Sequence, residues 1–147
     1  MMKFQALFYL FFISIILPQS NLECGDLLST YAKKPQNVQF LKCERGNGQT
    51  ILEADYLVDK TKHEDVERFL IDSFDMGELK FVCCGWEPEE GKLGYFDSKK
   101  LLEINKNYTL QISMYANAEK ADEKGNIFIE FDKNKVEFYI KVKILEV

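Results

Sequence analysis

The chain has 147 residues, a formal net charge of −5, 14% aromatic residues, four cysteines and one histidine. The aromatic content excludes a disordered chain, and the length excludes a multidomain enzyme while allowing one real core. An acidic chain whose only arginines are Arg45 and Arg68 makes a poor nucleic-acid binder.

Met1-Met2-Lys3 opens the chain, an apolar run follows from Phe4 to Leu17, and Pro18-Gln19-Ser20 ends it. This layout predicts a secretory signal peptide over residues 1–20, because the run is short for a membrane span. Its removal takes Lys3 and no acid, so the balance becomes one unit more negative than −5. The expectation is a single α+β domain over residues 21–147, periplasmic or secreted, with no membrane span after cleavage.

Cys24, Leu27, Leu28 and Tyr31 recur at helical spacing and Pro35 stops the pattern, which predicts a short helix with Cys24 on its buried face. Val38 to Glu44 and Thr50 to Asp59 read as strands joined by an Arg45-Gly46-Asn47-Gly48 turn. Thr61-Lys62-His63-Glu64 has the form of a capping box, opening a helix with Val66, Phe69, Leu70 and Phe74 on one stripe and Gly77 as its stop. His63 is then a solvated residue at a helix start. Leu79 to Cys84 reads as a strand, Gly85 to Lys100 as an irregular loop, and Lys99 to Ile104 as either a helical turn or a strand. Apolar residues alternate over Tyr108–Met114, Ile127–Phe131 and Val136–Ile144, the mark of an antiparallel sheet buried on one face. The expected fold is α+β: an antiparallel sheet of about five to seven strands, two helices on one face, stapled by disulfides.

Cys24, Cys43, Cys83 and Cys84 all follow the predicted cleavage point, and an even count in a small exported chain reads as a disulfide framework with three possible connectivities. If Cys83 and Cys84 are strand neighbours, their side chains point to opposite faces. This reading favours a bridge from each to one of Cys24 and Cys43, in either assignment. A vicinal Cys83–Cys84 ring competes with it at the cost of backbone strain. A redox pair lacks the C-x-x-C turn, and a zinc site lacks paired-ligand spacing beside the single His63.

No catalytic set stands out. His63 has no serine in a nucleophile elbow to serve, and no metal-ligand or phosphate-cradling pattern occurs. No cofactor is expected. The most distinctive segment is Cys83-Cys84-Gly85-Trp86-Glu87-Pro88, an anchored loop carrying the only tryptophan. It suggests an aromatic contact point rimmed by Glu87, Glu89 and Glu90. The expected function is a non-enzymatic exported binding protein, such as an inhibitor or immunity-type protein against an envelope-targeted toxin or hydrolase. Its acidic charge suits a basic protein partner. One alternative is a glycan-active or glycan-binding protein using Trp86 and the neighbouring glutamates, and another is a thiol-redox accessory protein using Cys83-Cys84.

Cys24-Gly25-Asp26-Leu27-Leu28, Tyr31-Ala32-Lys33-Lys34-Pro35, the Gly48-Gln49-Thr50 turn and Met76-Gly77 leading to Leu79-Lys80-Phe81-Val82-Cys83-Cys84-Gly85-Trp86-Glu87-Pro88 carry a resemblance. Over residues 24–88 the chain resembles an uncharacterised family of small exported bacterial proteins known only as a domain of unknown function. The resemblance implies a common fold and common disulfides; it implies no activity and carries over no catalytic residue.

Overall fold

The computed structural model describes residues 22–147, so the expected signal peptide lies outside the described residues. Helix α1 (Leu27–Tyr31) starts at Asp26, whose carboxylate accepts the Ser29 N–H at 3.1 Å. Cys24 therefore precedes the helix and is exposed, where the sequence placed it on the helix's buried face. Strands β1 (Val38–Arg45) and β2 (Thr50–Val58) form the expected hairpin.

Helix α2 (His63–Phe74) begins one residue later than the capping-box reading, with Lys62 at its N-cap and no side-chain cap. Thr61 sits in a one-turn 3₁₀ segment, Lys60–Lys62, and gives both its N–H and its hydroxyl to Asp59. His63 lies three residues before Val66, on the same stripe as Val66, Leu70 and Phe74, so the histidine faces inward. It is 2% exposed, stacked on Phe138 at 5.0 Å between ring centroids, with Nε2 3.2 Å from the Asn134 side-chain oxygen. The solvated placement expected from sequence is corrected accordingly. The helix ends at Asp75 in a left-handed conformation, ahead of Gly77.

The remaining elements are β3 (Leu79–Val82), β4 (Gly85–Pro88), β5 (Gly94–Phe96), α3 (Lys99–Ile104), β6 (Tyr108–Asn117), β7 (Glu119–Ala121), β8 (Ile127–Ile129) and β9 (Tyr139–Glu146). Seven strands make one sheet in the order β1-β2-β9-β6-β4-β3, with β5 also paired to β6, and β7 and β8 form a separate hairpin. All pairings are antiparallel. The α+β expectation holds, with a third helix where Lys99–Ile104 was ambiguous.

Along β2, β6 and β9 buried and half-buried residues alternate, so one face of the sheet is dry. The helices pack on that face. Tyr56, fully buried on β2, accepts the Leu28 N–H at 3.0 Å and donates its own hydroxyl to Asp26 at 3.0 Å, which locks α1 onto the sheet. Leu52, Ile112, Met114, Phe138, Ile140 and Val142 form the centre of the core. Among the described residues no helix covers the opposite face of β1, β2, β9 and β6, which carries Lys42, Glu53, Asp55, Lys141, Lys143, Tyr115 and Tyr139.

Candidate functional site

Cys24 bonds Cys43, and Cys83 bonds Cys84. The expectation that Cys83 and Cys84 each reach Cys24 or Cys43 is therefore corrected. Its premise was that both cysteines lie on a strand, but β3 stops at Val82, and Val82 already pairs with Gly85. The two cysteines are the two-residue turn of the β3–β4 hairpin, so strand alternation does not apply to them. Cys83 takes a positive φ of +53°, as the first residue of such turns commonly does. Gly85 is required just after the turn, because a Cβ there would collide with the Ala116 carbonyl oxygen of β6.

Phe81 and Trp86 face each other across this hairpin, in register and on the core side of the sheet. Their rings meet edge to face at 5.5 Å, and Phe131 lies 5.0 Å from Phe81. Trp86 is half-buried while Phe131 is 68% exposed, so the cluster runs from the core edge out to solvent. Val82, Ile127 and Phe128 add exposed apolar surface nearby in sequence.

A chain of contacts fixes this corner to α2. Glu67 accepts the Leu79 N–H at 2.7 Å and the Lys133 ammonium at 2.7 Å, and that ammonium lies 5.2 Å from the centre of the Trp86 ring. Lysine above an indole face gains from the ring quadrupole, and here its charge is also matched by a largely buried carboxylate. The Trp86 indole N–H is buried and donates to no oxygen among the described residues.

The acids that follow Trp86 are not gathered with it. Trp86 pairs with buried Ala116 and so shares the core side of the sheet, whereas Glu87, its neighbour on β4, points to the other side and is exposed. Glu89 and Glu90 lie in a 3₁₀ turn, also exposed. The expected rim of Glu87, Glu89 and Glu90 around Trp86 is therefore not formed on the core side of the sheet. The arrangement does not give two carboxylates facing one reacting atom. Among the described residues no group of three His, Cys, Asp or Glu side chains is placed to hold a metal ion, and no helix is long and apolar enough to cross a membrane.

The helix-free face of the sheet was not singled out from sequence, although the alternation of Glu53, Asp55, Lys141 and Lys143 was its signal. Lys42, Asp55 and Lys141 follow one another across β1, β2 and β9, with ammonium–carboxylate distances of 3.5 and 3.6 Å. Glu53 bonds Lys141 and lies 3.4 Å from Lys143. The Lys141 ammonium holds the Glu53 carboxyl below the usual carboxylate range against the opposing effect of burial.

Residues 15–86 match the model of a family described as a domain of unknown function, DUF4952. The match covers the whole of the signature from Cys24 to Trp86 and stops within β4, before the strands that complete the sheet. No curated protein and no solved structure matches the chain.

Proposed function

We propose that the chain is a non-enzymatic exported binding protein that engages a basic protein partner through its aromatic corner, as an inhibitor or immunity-type protein would. The observation that carries this reading is Phe131: a phenylalanine 68% exposed, yet its ring is held against Phe81 and, through it, Trp86. Such a ring loses little entropy on docking, and clustered aromatics backed by a rigid core are the surfaces that dominate protein interfaces. The net charge of −5, to which the exposed Glu87, Glu89 and Glu90 contribute, would speed encounter with a basic partner. Export is supported by the signal-like start and by cysteines paired in two disulfides, which persist in oxidising compartments.

The test is capture of partners from an envelope extract by the protein and by a Phe131→Asp variant in parallel. A stoichiometric partner held by the first and lost by the second supports the reading. Retention of the same partner by Phe131→Asp, or no stoichiometric partner under gentle conditions, would refute it. The substituted side chain is mostly in water, so the variant keeps the fold.

A further inference from the structure

We propose that the helix-free face of the sheet carries a separate binding site for a neutral saccharide, in the cleft between Tyr115 and Tyr139 on one side and Leu41 and Lys42 on the other. The cleft has a volume of about 410 Å³ and is completed by Asp55 and Asn117. It lies on the opposite side of the sheet from Phe81 and Trp86, so it is independent of the protein-binding corner.

Three features define the ligand class. Tyr115 and Tyr139 are directly opposed on β6 and β9, and their rings lie 6.0 Å apart at an interplanar angle of only 28°. The two stacked rings form one aromatic wall of the open cleft. A pyranose ring presents on one face several C–H bonds polarised by neighbouring oxygens, and these meet the negative face of an aromatic ring favourably. Burial pushes both phenols up from their usual range, with Asp55 reinforcing the shift at Tyr115 and Glu137 at Tyr139. Both rings therefore stay neutral at physiological pH.

The polar groups around that wall alternate donor and acceptor. The Lys42 ammonium lies 3.5 Å from one Asp55 oxygen, while the Lys141 ammonium lies 3.6 Å from the other, which accepts no hydrogen bond among the described residues. Asn117 adds an amide with both functions. A ligand hydroxyl can accept a bond from the exposed Lys42 ammonium, which the mostly buried Asp55 carboxylate holds in place, and exchange bonds with the Asn117 amide.

Charge decides between classes. Asp55, the one carboxylate lining the cleft, already faces the Lys42 and Lys141 ammonium groups, so the lining itself holds little surplus charge to attract an anion or a cation. A polyhydroxylated neutral ligand is matched without disturbing those pairs, and it is recognised by stacking and hydrogen bonds together. A purely apolar ligand would strand Lys42, Asp55 and Asn117 without water.

The experiment is amide-resolved NMR of the whole protein titrated with millimolar chitotetraose, maltoheptaose and cellotetraose. At least one should shift the amides of Tyr115, Asn117 and Tyr139 saturably, with no response at Trp86 or Phe131. Tyr139→Ala should weaken that binding by about tenfold or more, equivalent to roughly 1.4 kcal/mol. Lys42→Ala, at a side chain 58% exposed and so harmless to folding, should weaken it too. Silence from all three sugars, shifts confined to other residues, or unchanged affinity in both variants would overturn the proposal. Loss of partner capture in Phe131→Asp with sugar binding intact would separate the two surfaces.

Discussion

Cys24–Cys43 spans 19 residues and ties the segment ahead of α1 to β1, the outermost strand on its side of the sheet, whereas Cys83–Cys84 spans one residue and ties a turn to itself. The same bond does different physical work in the two places. Closing a loop of about 20 residues removes unfolded-chain entropy worth roughly 3 kcal/mol, while bonding chain neighbours removes almost none. The first disulfide braces an edge: β1 has a single partner strand, and short α1 rests on the sheet through little beyond Leu27, Leu28, Tyr31 and the Tyr56 hydroxyl. The second shapes a surface. It closes the hairpin tip that leads into Trp86, in a part of the molecule already held by Glu67, Lys133 and the pairing with β6. Sequence separation, more than cysteine count, tells which role a disulfide has.

The largest expected effect therefore comes from breaking the brace. Cys24→Ser with Cys43→Ser should lower stability to urea by about 3 kcal/mol. A loss below about 1 kcal/mol would mean that packing alone holds β1 and α1, and the contrast between the two disulfides would shrink to geometry.

A smaller effect belongs to the polar lock that shares the brace's task. Asp26 receives hydrogen bonds from the Ser29 N–H and hydroxyl, the Tyr56 hydroxyl and the Lys34 ammonium at 2.7 Å. Burial pushes its carboxyl up, but these bonds together outweigh burial and hold it below the ordinary value of 3.8. The folded state thus favours the ionised form. Its contribution is fully present above pH 3.8 and disappears as the pH falls through the lower folded value. Asp26→Ala should cost about 1–2 kcal/mol at neutral pH, the loss of an N-cap and of a partner for a buried phenol. Asp26→Asn, which keeps an oxygen at the cap, should cost less and flatten the acid limb of stability against pH. An acid limb unchanged in Asp26→Asn would assign it to other carboxylates.

Which of these features the sequence discloses follows from how local their causes are. Period-two alternation in β2, β6 and β9 is written residue by residue, so the sheet, its antiparallel character and its dry face are legible from the order of residues alone. The helix at His63 is half legible. Its Val66–Leu70–Phe74 stripe is plain, but Thr61 gives its bonds to Asp59 instead of capping the helix, and the Phe138 ring that receives His63 is distant in sequence. The hairpin at Cys83 is harder still. Phe81 fits the expected strand, but the irregular-loop reading of Gly85–Lys100 misses β4 and β5, and nothing in Cys83-Cys84 names a turn, because its glycine follows the turn instead of occupying it. Gly85 is explained only by the close approach of Ala116, a residue distant in sequence. The tyrosine cleft is the least visible, since it needs the register that sets Tyr115 against Tyr139 and Lys42 against Asp55.

The smallest expected effect on stability sharpens the comparison most. Cys83→Asn with Cys84→Ser removes the vicinal bond while keeping at position 83 a residue that tolerates the positive φ of the turn. Because almost no loop is opened, the urea midpoint should move by less than about 0.5 kcal/mol equivalent. The change should appear instead as amide shifts confined to Val82–Trp86 and a shift in Trp86 fluorescence, since the turn is held by Val82–Gly85 pairing and the indole by Phe81 and Lys133. If the aromatic corner is the contact surface, partner capture should weaken in this variant although the fold is intact. A stability loss as large as that of the Cys24–Cys43 variant would show that the hairpin tip is a brace as well, and the division of labour between the two disulfides would fail.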